Sequence, residues 1–141
     1  MPGYLLDANV LIALAWPDHS ANGRASRWFA QRGSDGWATC PMTQAALVRT
    51  LSNPSFSGSA LTINGALEVL RRNLELPGHQ FWADSIPLIE SLEKFEVTLT
   101  GHRQITDAYL VALAIRNRGQ LATLDRGIMQ IAPVGAVELI A

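Results

Sequence analysis

Three aspartates stand where an apolar run gives way to a polar one. Asp7 follows Tyr4-Leu5-Leu6, Asp125 follows Leu121-Ala-Thr-Leu, and Asp107 lies in the opening turns of the apolar stretch 104–118. Taken singly, an acid at such a place is explained by helix capping, or by about 0.3–1 kcal/mol from the helix macrodipole. Taken together in one crevice, three carboxylates repel, and some protonate near neutral pH unless a cation compensates them. An all-oxygen donor set suits Mg²⁺ or Mn²⁺ rather than zinc. Such an ion lowers the pKa of a bound water, orients it and offsets the charge of a phosphorane-like transition state. The chemistry expected of this trio is hydrolysis of a phosphodiester by a metal-activated water.

The other candidates are weaker. Glu68, Glu75, Glu90, Glu93 and Glu96 fall in or beside helical patterns at positions expected to face solvent. His19, His79 and His102 lack metal-ligand spacing; His102, five residues before Asp107, is the one placed to shuttle a proton. Cys40 is the single cysteine, which excludes an intrachain disulfide and a thiolate zinc cluster. Ser20 and Cys40 have no base at suggestive spacing, so a side-chain nucleophile is not supported. Trp16, Trp28, Trp37 and Trp82 are expected to pack a core or an interface rather than stack on bases.

The elements that would position the aspartates alternate. Short apolar runs at 4–6, 37–40, 95–99, 121–124 and 137–140 read as strands, with 79–82 extended. Helical patterns cover 10–16, 20–32, 41–51, 62–73, 86–94 and 104–118, the last apolar on most sides and closed by Gly119. Strands alternating with helices predict one α/β domain over residues 1–141, a mainly parallel central sheet flanked by helices. In such a sheet all strand ends of one polarity share an edge, and ligands bind outside the carboxyl ends. That edge would gather Asp7, Asp107 and Asp125, although Asp7 and Asp125 are 118 residues apart.

Composition agrees with a compact enzyme domain. The 141 residues are 48% hydrophobic and 16% charged, with a net charge of −1. This apolar content excludes disorder, and the near-zero charge excludes bulk attraction to nucleic acid or to an anionic membrane. Ten of the eleven cationic residues are nonetheless arginine, which grips phosphate through two parallel hydrogen bonds. The N-terminus has no basic segment ahead of an apolar one, and no stretch approaches the roughly 18 apolar residues of a membrane span, so a cytoplasmic location without membrane contact is expected.

Three ordered blocks carry a family resemblance: Leu-Leu-Asp7-Ala-Asn9-Val-Leu, Ile-Thr106-Asp107-Ala-Tyr-Leu-Val-Ala-Leu-Ala, and Leu-Ala-Thr123-Leu-Asp125-Arg126-Gly. The chain resembles PIN-domain ribonucleases over essentially its whole length, and more closely the VapC toxins of type II toxin–antitoxin systems. The resemblance implies a Mg²⁺- or Mn²⁺-dependent endoribonuclease that cuts tRNA or rRNA, a homodimer, and inhibition by a VapB-type antitoxin. It assigns Asp7, Asp107 and Asp125 to the metal, with Asn9 and Thr123 orienting them. Where the family carries a further acid, generally Glu, early in the helix after the second strand, the resemblance places Gln44. An amide there ligates weakly or positions water, which favours one well-held ion over two. Arg126 is the arginine expected to meet a substrate phosphate. A PIN-like module that binds RNA or protein without cutting is the alternative, supported by Gln44 alone. A phosphotransferase would want a second Asp where Asn9 stands.

Overall fold

The computed structural model describes residues 3–56, 58–93, 95 and 99–141. Five short strands form one all-parallel sheet: β1 (Tyr4–Leu6), β2 (Trp37–Thr39), β3 (His79–Phe81), β4 (Gln120–Thr123) and β5 (Val137–Leu139), in the spatial order β3-β2-β1-β4-β5. Six α-helices are present among the described residues: α1 (Ala8–Ala15), α2 (Asn22–Arg32), α3 (Pro41–Leu51), α4 (Ile63–Leu74), α5 (Leu88–Glu93) and α6 (Ile105–Arg116). None is long and apolar enough to cross a membrane. The expected strand at 95–99 falls largely outside the described residues, since 96–98 are not among them.

The sheet sorts its side chains by alternation. Leu5, Ala38 and Leu121 face α5 and α6, meeting Ala108 to Ala114 of the latter. Tyr4, Leu6, Trp37 and Ala122 face the opposite layer, against Val10, Leu11, Leu47, Leu51, Ala66 and Leu70. A parallel sheet covered on both faces needs apolar residues at every strand position, and β1 and β2 are buried throughout. Helix α6 lies deepest: seven consecutive residues, Ala108 to Ala114, are buried, as its apolar circumference predicts.

Local signals set the boundaries. Pro41 opens α3 at the first-turn position it favours, and Thr62 caps α4 by accepting from Gly65 N–H at 3.0 Å. Helix α1 starts at Ala8, two residues earlier than the apolar run suggests, because Asp7 itself is its N-cap. Helix α6 ends at Arg116, two residues short of expectation. The left-handed residue of its C-cap is Arg118, at φ 61°, with Arg118 N–H bonded to Ile115 O and Gly119 N–H to Ala114 O. Gly119 serves packing instead: a Cβ there would lie 2.5 Å from the Gly3 carbonyl oxygen and 2.8 Å from the Trp82 ring.

The chain order places the site. It runs outward from β1 through β2 to β3, then returns to the other side of β1 for β4 and β5. The order therefore reverses between β1 and β4, and the crevice outside their carboxyl ends is where open α/β sheets bind ligands.

Candidate active site

Asp7 follows β1 and Asp125 follows β4, strands paired in register from Tyr4↔Gln120 to Leu6↔Ala122. The link between them is Thr123, fully buried at the end of β4. Its hydroxyl donates to Asp7 Oδ2 at 2.7 Å and accepts from the Asp125 backbone N–H at 3.1 Å and from Asn9 Nδ2 at 3.3 Å. One donor and two acceptor positions are all that a hydroxyl has, and each is used. The second Asp7 oxygen, Oδ1, accepts from Ala8 N–H at 2.7 Å. Asn9 Oδ1 accepts from Leu124 N–H at 3.2 Å, tying the start of α1 to the loop that carries Asp125. Asp125 Oδ1 in turn accepts from Gly127 N–H at 2.8 Å, and its side chain is exposed.

Asp107 enters from α6, half-buried, directly ahead of the buried segment Ala108 to Ala114. Burial raises its carboxyl to about 6, and the charges of Asp7 and Asp125 push in the same direction. Burial likewise raises Asp7, which is only 7% exposed; the Thr123 and Ala8 hydrogen bonds counteract this, and Asp125 adds to it. The three acids thus sense one another electrostatically, as the shared edge requires.

Among the described residues, no group of three or more His, Cys, Asp or Glu side chains converges closely enough to make a coordination shell of protein atoms alone. Mg²⁺ asks for less, since it keeps several waters and binds through one or two carboxylates plus substrate phosphate oxygens. Hard oxygen donors whose charge is penalised without a counter-ion fit such a cation.

Beside Asp7 opens a cleft of about 300 Å³. Its walls come from the start of α1 (Asp7, Ala8), from α3 (Met42, Thr43, Ala45, Ala46, Arg49) and from α6 (Thr106, Leu110). Gln44 does not line it. At 100° per residue, positions 42, 45, 46 and 49 share one side of α3 and position 44 points away from it. Gln44 Nε2 instead donates to Thr39 Oγ1 at 2.9 Å, which also bonds His79 Nε2 at 2.8 Å. Gln44, expected at the acidic site, is thus engaged with Thr39, and the α3 wall of this cleft is made by Met42, Thr43, Ala45, Ala46 and Arg49.

Arg49 is the functional candidate that sequence reading passed over. Its signal was present in the spacing Met42-Ala45-Ala46-Arg49, a face of small and apolar residues ending in a cation. Arg126 is exposed directly after Asp125. Other cations are engaged elsewhere: Arg71 and Arg72 pair with Glu68, Arg116 with Glu90 at 3.8 Å, and Arg32 with Glu138 at 3.6 Å. His102 lies exposed in a 3₁₀ turn ahead of α6, and His19 Nδ1 accepts from Ala21 N–H. Trp28, Trp37 and Trp82 are buried, and Trp16 packs edge-on against Phe56.

A switch-point crevice flanked by Asp7 and Asp125, with their charges felt at Asp107, is the setting in which the comparisons with known proteins are read. The family model for the PIN domain matches residues 4–133. Ribonuclease VapC39 of Mycobacterium tuberculosis is 43% identical over 136 residues, spanning 96% of this chain and 98% of that protein. Among solved structures, the fold resembles Mycobacterium tuberculosis VapC20, described as a Sarcin-Ricin loop cleaving toxin, with a TM-score of 0.71 at 16% identity over 98% of this chain and 99% of the other. It also resembles VapBC2 from Rickettsia felis bound to a promoter DNA fragment, with a TM-score of 0.65 at 14% identity over 96% and 97%. The chain belongs to the PIN domain family. Within that family it stands with the VapC ribonucleases.

Proposed function

We propose that the protein is a divalent-metal-dependent endoribonuclease acting as the toxin of a toxin–antitoxin pair in the cytoplasm, with structured RNA, tRNA or rRNA, as its substrate. The reading is supported by the placement of Asp7 and Asp125 after the paired strands β1 and β4, with Asp107 of α6 near enough that their charges add to its burial in raising it to about 6. Asp7 and Asp107 would hold Mg²⁺ or Mn²⁺, with Asp125 completing the cluster. When bound, the ion neutralises the acids, polarises the phosphodiester and makes water nucleophilic at neutral pH.

The protein's own residues do the positioning. Thr123 fixes the Asp7 carboxylate through Oδ2, and Ala8 N–H fixes it through Oδ1. Asn9 locks the loop after β4 through Leu124 N–H, so Asp125 cannot drift from Asp7. Arg126, exposed beside Asp125, is placed to meet the phosphate backbone. Attack by water rather than by the ribose 2′-hydroxyl leaves a 5′-phosphate and a 3′-hydroxyl.

A VapB-type antitoxin and a second copy of the chain are the partners this reading carries, by likeness to relatives that work in such pairs. The alternative is a PIN-like module that binds RNA or protein without cutting; Gln44, which bonds Thr39, supplies no acid in either reading.

The deciding experiment is cleavage of a tRNA and rRNA mixture with Mn²⁺, then with EDTA, followed by end mapping against Asp7→Asn. Metal-dependent 5′-phosphate ends that vanish in Asp7→Asn support the reading. Full activity of Asp7→Asn, or 2′,3′-cyclic phosphate ends, would refute it.

A further inference from the structure

Arg49 has a geometry that the acids alone do not explain. It is exposed on α3, yet it lines the same cleft as Asp7 and Thr106. Side chains on a helix lean toward its N-terminus, over the residues three and four positions earlier. For Arg49 those residues are Ala46 and Ala45, both lining the cleft. Two methyl side chains leave the lane over the helix clear, so the arginine stem has apolar ground to lie on along the cleft wall that Asp7 also lines.

Among the described residues, nothing uses the guanidinium head. No ion pair to Arg49 exists among the described residues, whereas Arg32, Arg71, Arg72 and Arg116 each have a carboxylate. Nor does Arg49 relieve the penalty on Asp7, which is set by burial, Thr123, Ala8 and Asp125. Arg49 is the one cation lining a cleft whose other walls are Asp7, alanines, threonines, Met42 and Leu110, and an unpaired guanidinium there calls for an anion from outside.

We infer that Arg49 is a substrate-binding residue that grips a phosphate of the RNA strand flanking the bond to be cut. The inference rests on the nuclease reading above and adds a subsite to it. The strand would lie along α3 with a flanking phosphate on Arg49 and the reacting phosphate at the acids. Because the contact is to a neighbouring phosphate, it acts on binding of the ground state and the transition state alike, and so on KM more than on kcat.

The test compares Arg49→Ala, Arg49→Lys and a remote charge control, Arg116→Gln, at the far end of α6. Binding of a fluorescein-labelled, mixed-sequence oligoribonucleotide is followed by anisotropy over a salt series, in an Asp107→Asn background that cannot cut. Cleavage kinetics are read in parallel in the unmodified background, with Asp7→Asn beside them. Arg49→Ala is expected to weaken binding about five- to tenfold and to lower the salt slope by about 0.7, the value for one contact to a single strand. KM should rise by a similar factor while kcat falls much less. Arg49→Lys should keep the slope and recover part of the affinity, since a point charge replaces the fork. If Arg49→Ala matches Arg116→Gln in affinity and slope while Asp7→Asn is inactive, the phosphate subsite is refuted and the nuclease reading stands. If kcat alone falls, Arg49 acts on the reacting group and the flanking assignment is wrong. If Asp7→Asn cuts like the unmodified protein, the nuclease reading itself fails. Melting curves for each variant separate these results from loss of fold.

Discussion

Thr123 Oγ1 donates to Asp7 Oδ2 at 2.7 Å, joining residues 116 positions apart through a hydroxyl whose donor and both acceptor positions are occupied. One buried threonine therefore fixes the rotamer of one acid and the backbone under another, and it couples the two central strands at the point where chemistry is expected.

Thr123→Val keeps the shape and removes the hydroxyl. A lost hydrogen bond to a charged group costs about 1.5–3 kcal/mol, and the orphaned Asp7 carboxylate should rise further above its ordinary range. Loss of a partner that orients a metal ligand typically costs 10–100-fold in metal affinity or activity. Thr123→Ser should recover most of both. Mn²⁺ titration and denaturant melts of the three proteins check this, and unchanged Mn²⁺ affinity in Thr123→Val would sever Thr123 from the metal site.

The raised acids make stability depend on pH in a defined direction. The folded-state value of Asp107, about 6, lies above its ordinary 3.8, and Asp7 is raised too. Between those limits the folded chain binds more protons than the unfolded one, so stability falls as pH rises from about 4 to about 6 and stays reduced above. Asp107→Asn should melt higher than the unmodified protein at pH 7 in EDTA, by on the order of 1 kcal/mol once solvent screening is allowed for. The difference should vanish near pH 3.5, and Mn²⁺ should stabilise the unmodified protein more than the variant. A lower melting temperature for Asp107→Asn at pH 7 would contradict the mutual repulsion.

Residues 44 and 46 offer opposite outcomes. Gln44 turns toward Thr39, whereas Ala46 lines the cleft beside Asp7. Gln44→Glu should leave Mn²⁺ affinity within about twofold, and Ala46→Glu should tighten it by about tenfold, the scale of a unit charge brought within roughly 4–5 Å of a divalent ion in a wet site. Isothermal titration of both variants decides, and the reverse pattern would mean that α3 is rotated relative to the acids.

The C-cap of α6 predicts a gain. Arg118 holds φ 61°, where an L-residue with a Cβ carries about 1–2 kcal/mol of strain. Arg118→Gly should raise stability by about 1 kcal/mol net of the freedom glycine gains on unfolding, or about 3–5 °C in Tm. Gly119→Ala should do the opposite, because its Cβ would meet the Gly3 carbonyl and Trp82.

Much of this architecture was legible from local chemistry. Pro41 and Leu51 bound α3 as the sequence indicates, and the strands at 4–6, 37–39, 120–123 and 137–139 fall within a residue of their apolar runs. The acids were legible because each borders its own element, so a parallel sheet brings them to one edge whatever the intervening loops do. Gln44 was not, since its bond to Thr39, which also holds His79, depends on how α3 sits against the sheet; the spacing of Arg49 was visible, but not which side of α3 the cleft would take. The αL residue at Arg118 was hidden for a similar reason. Gly119 looks like the natural cap, but a close approach from Gly3, more than a hundred residues away, claims it for another task.

The return of the chain to the centre of the sheet has a bearing on synthesis. Asp7 is made well before Thr123 and Asp125, which leave the ribosome only when β4 has been translated. Prematurely terminated chains carry the first acid without the hydroxyl that orients it, and they lack the strand that sits beside β1. The bond that orients Asp7 thus belongs to the finished sheet and not to its first half: it forms only once β4 has taken its place beside β1.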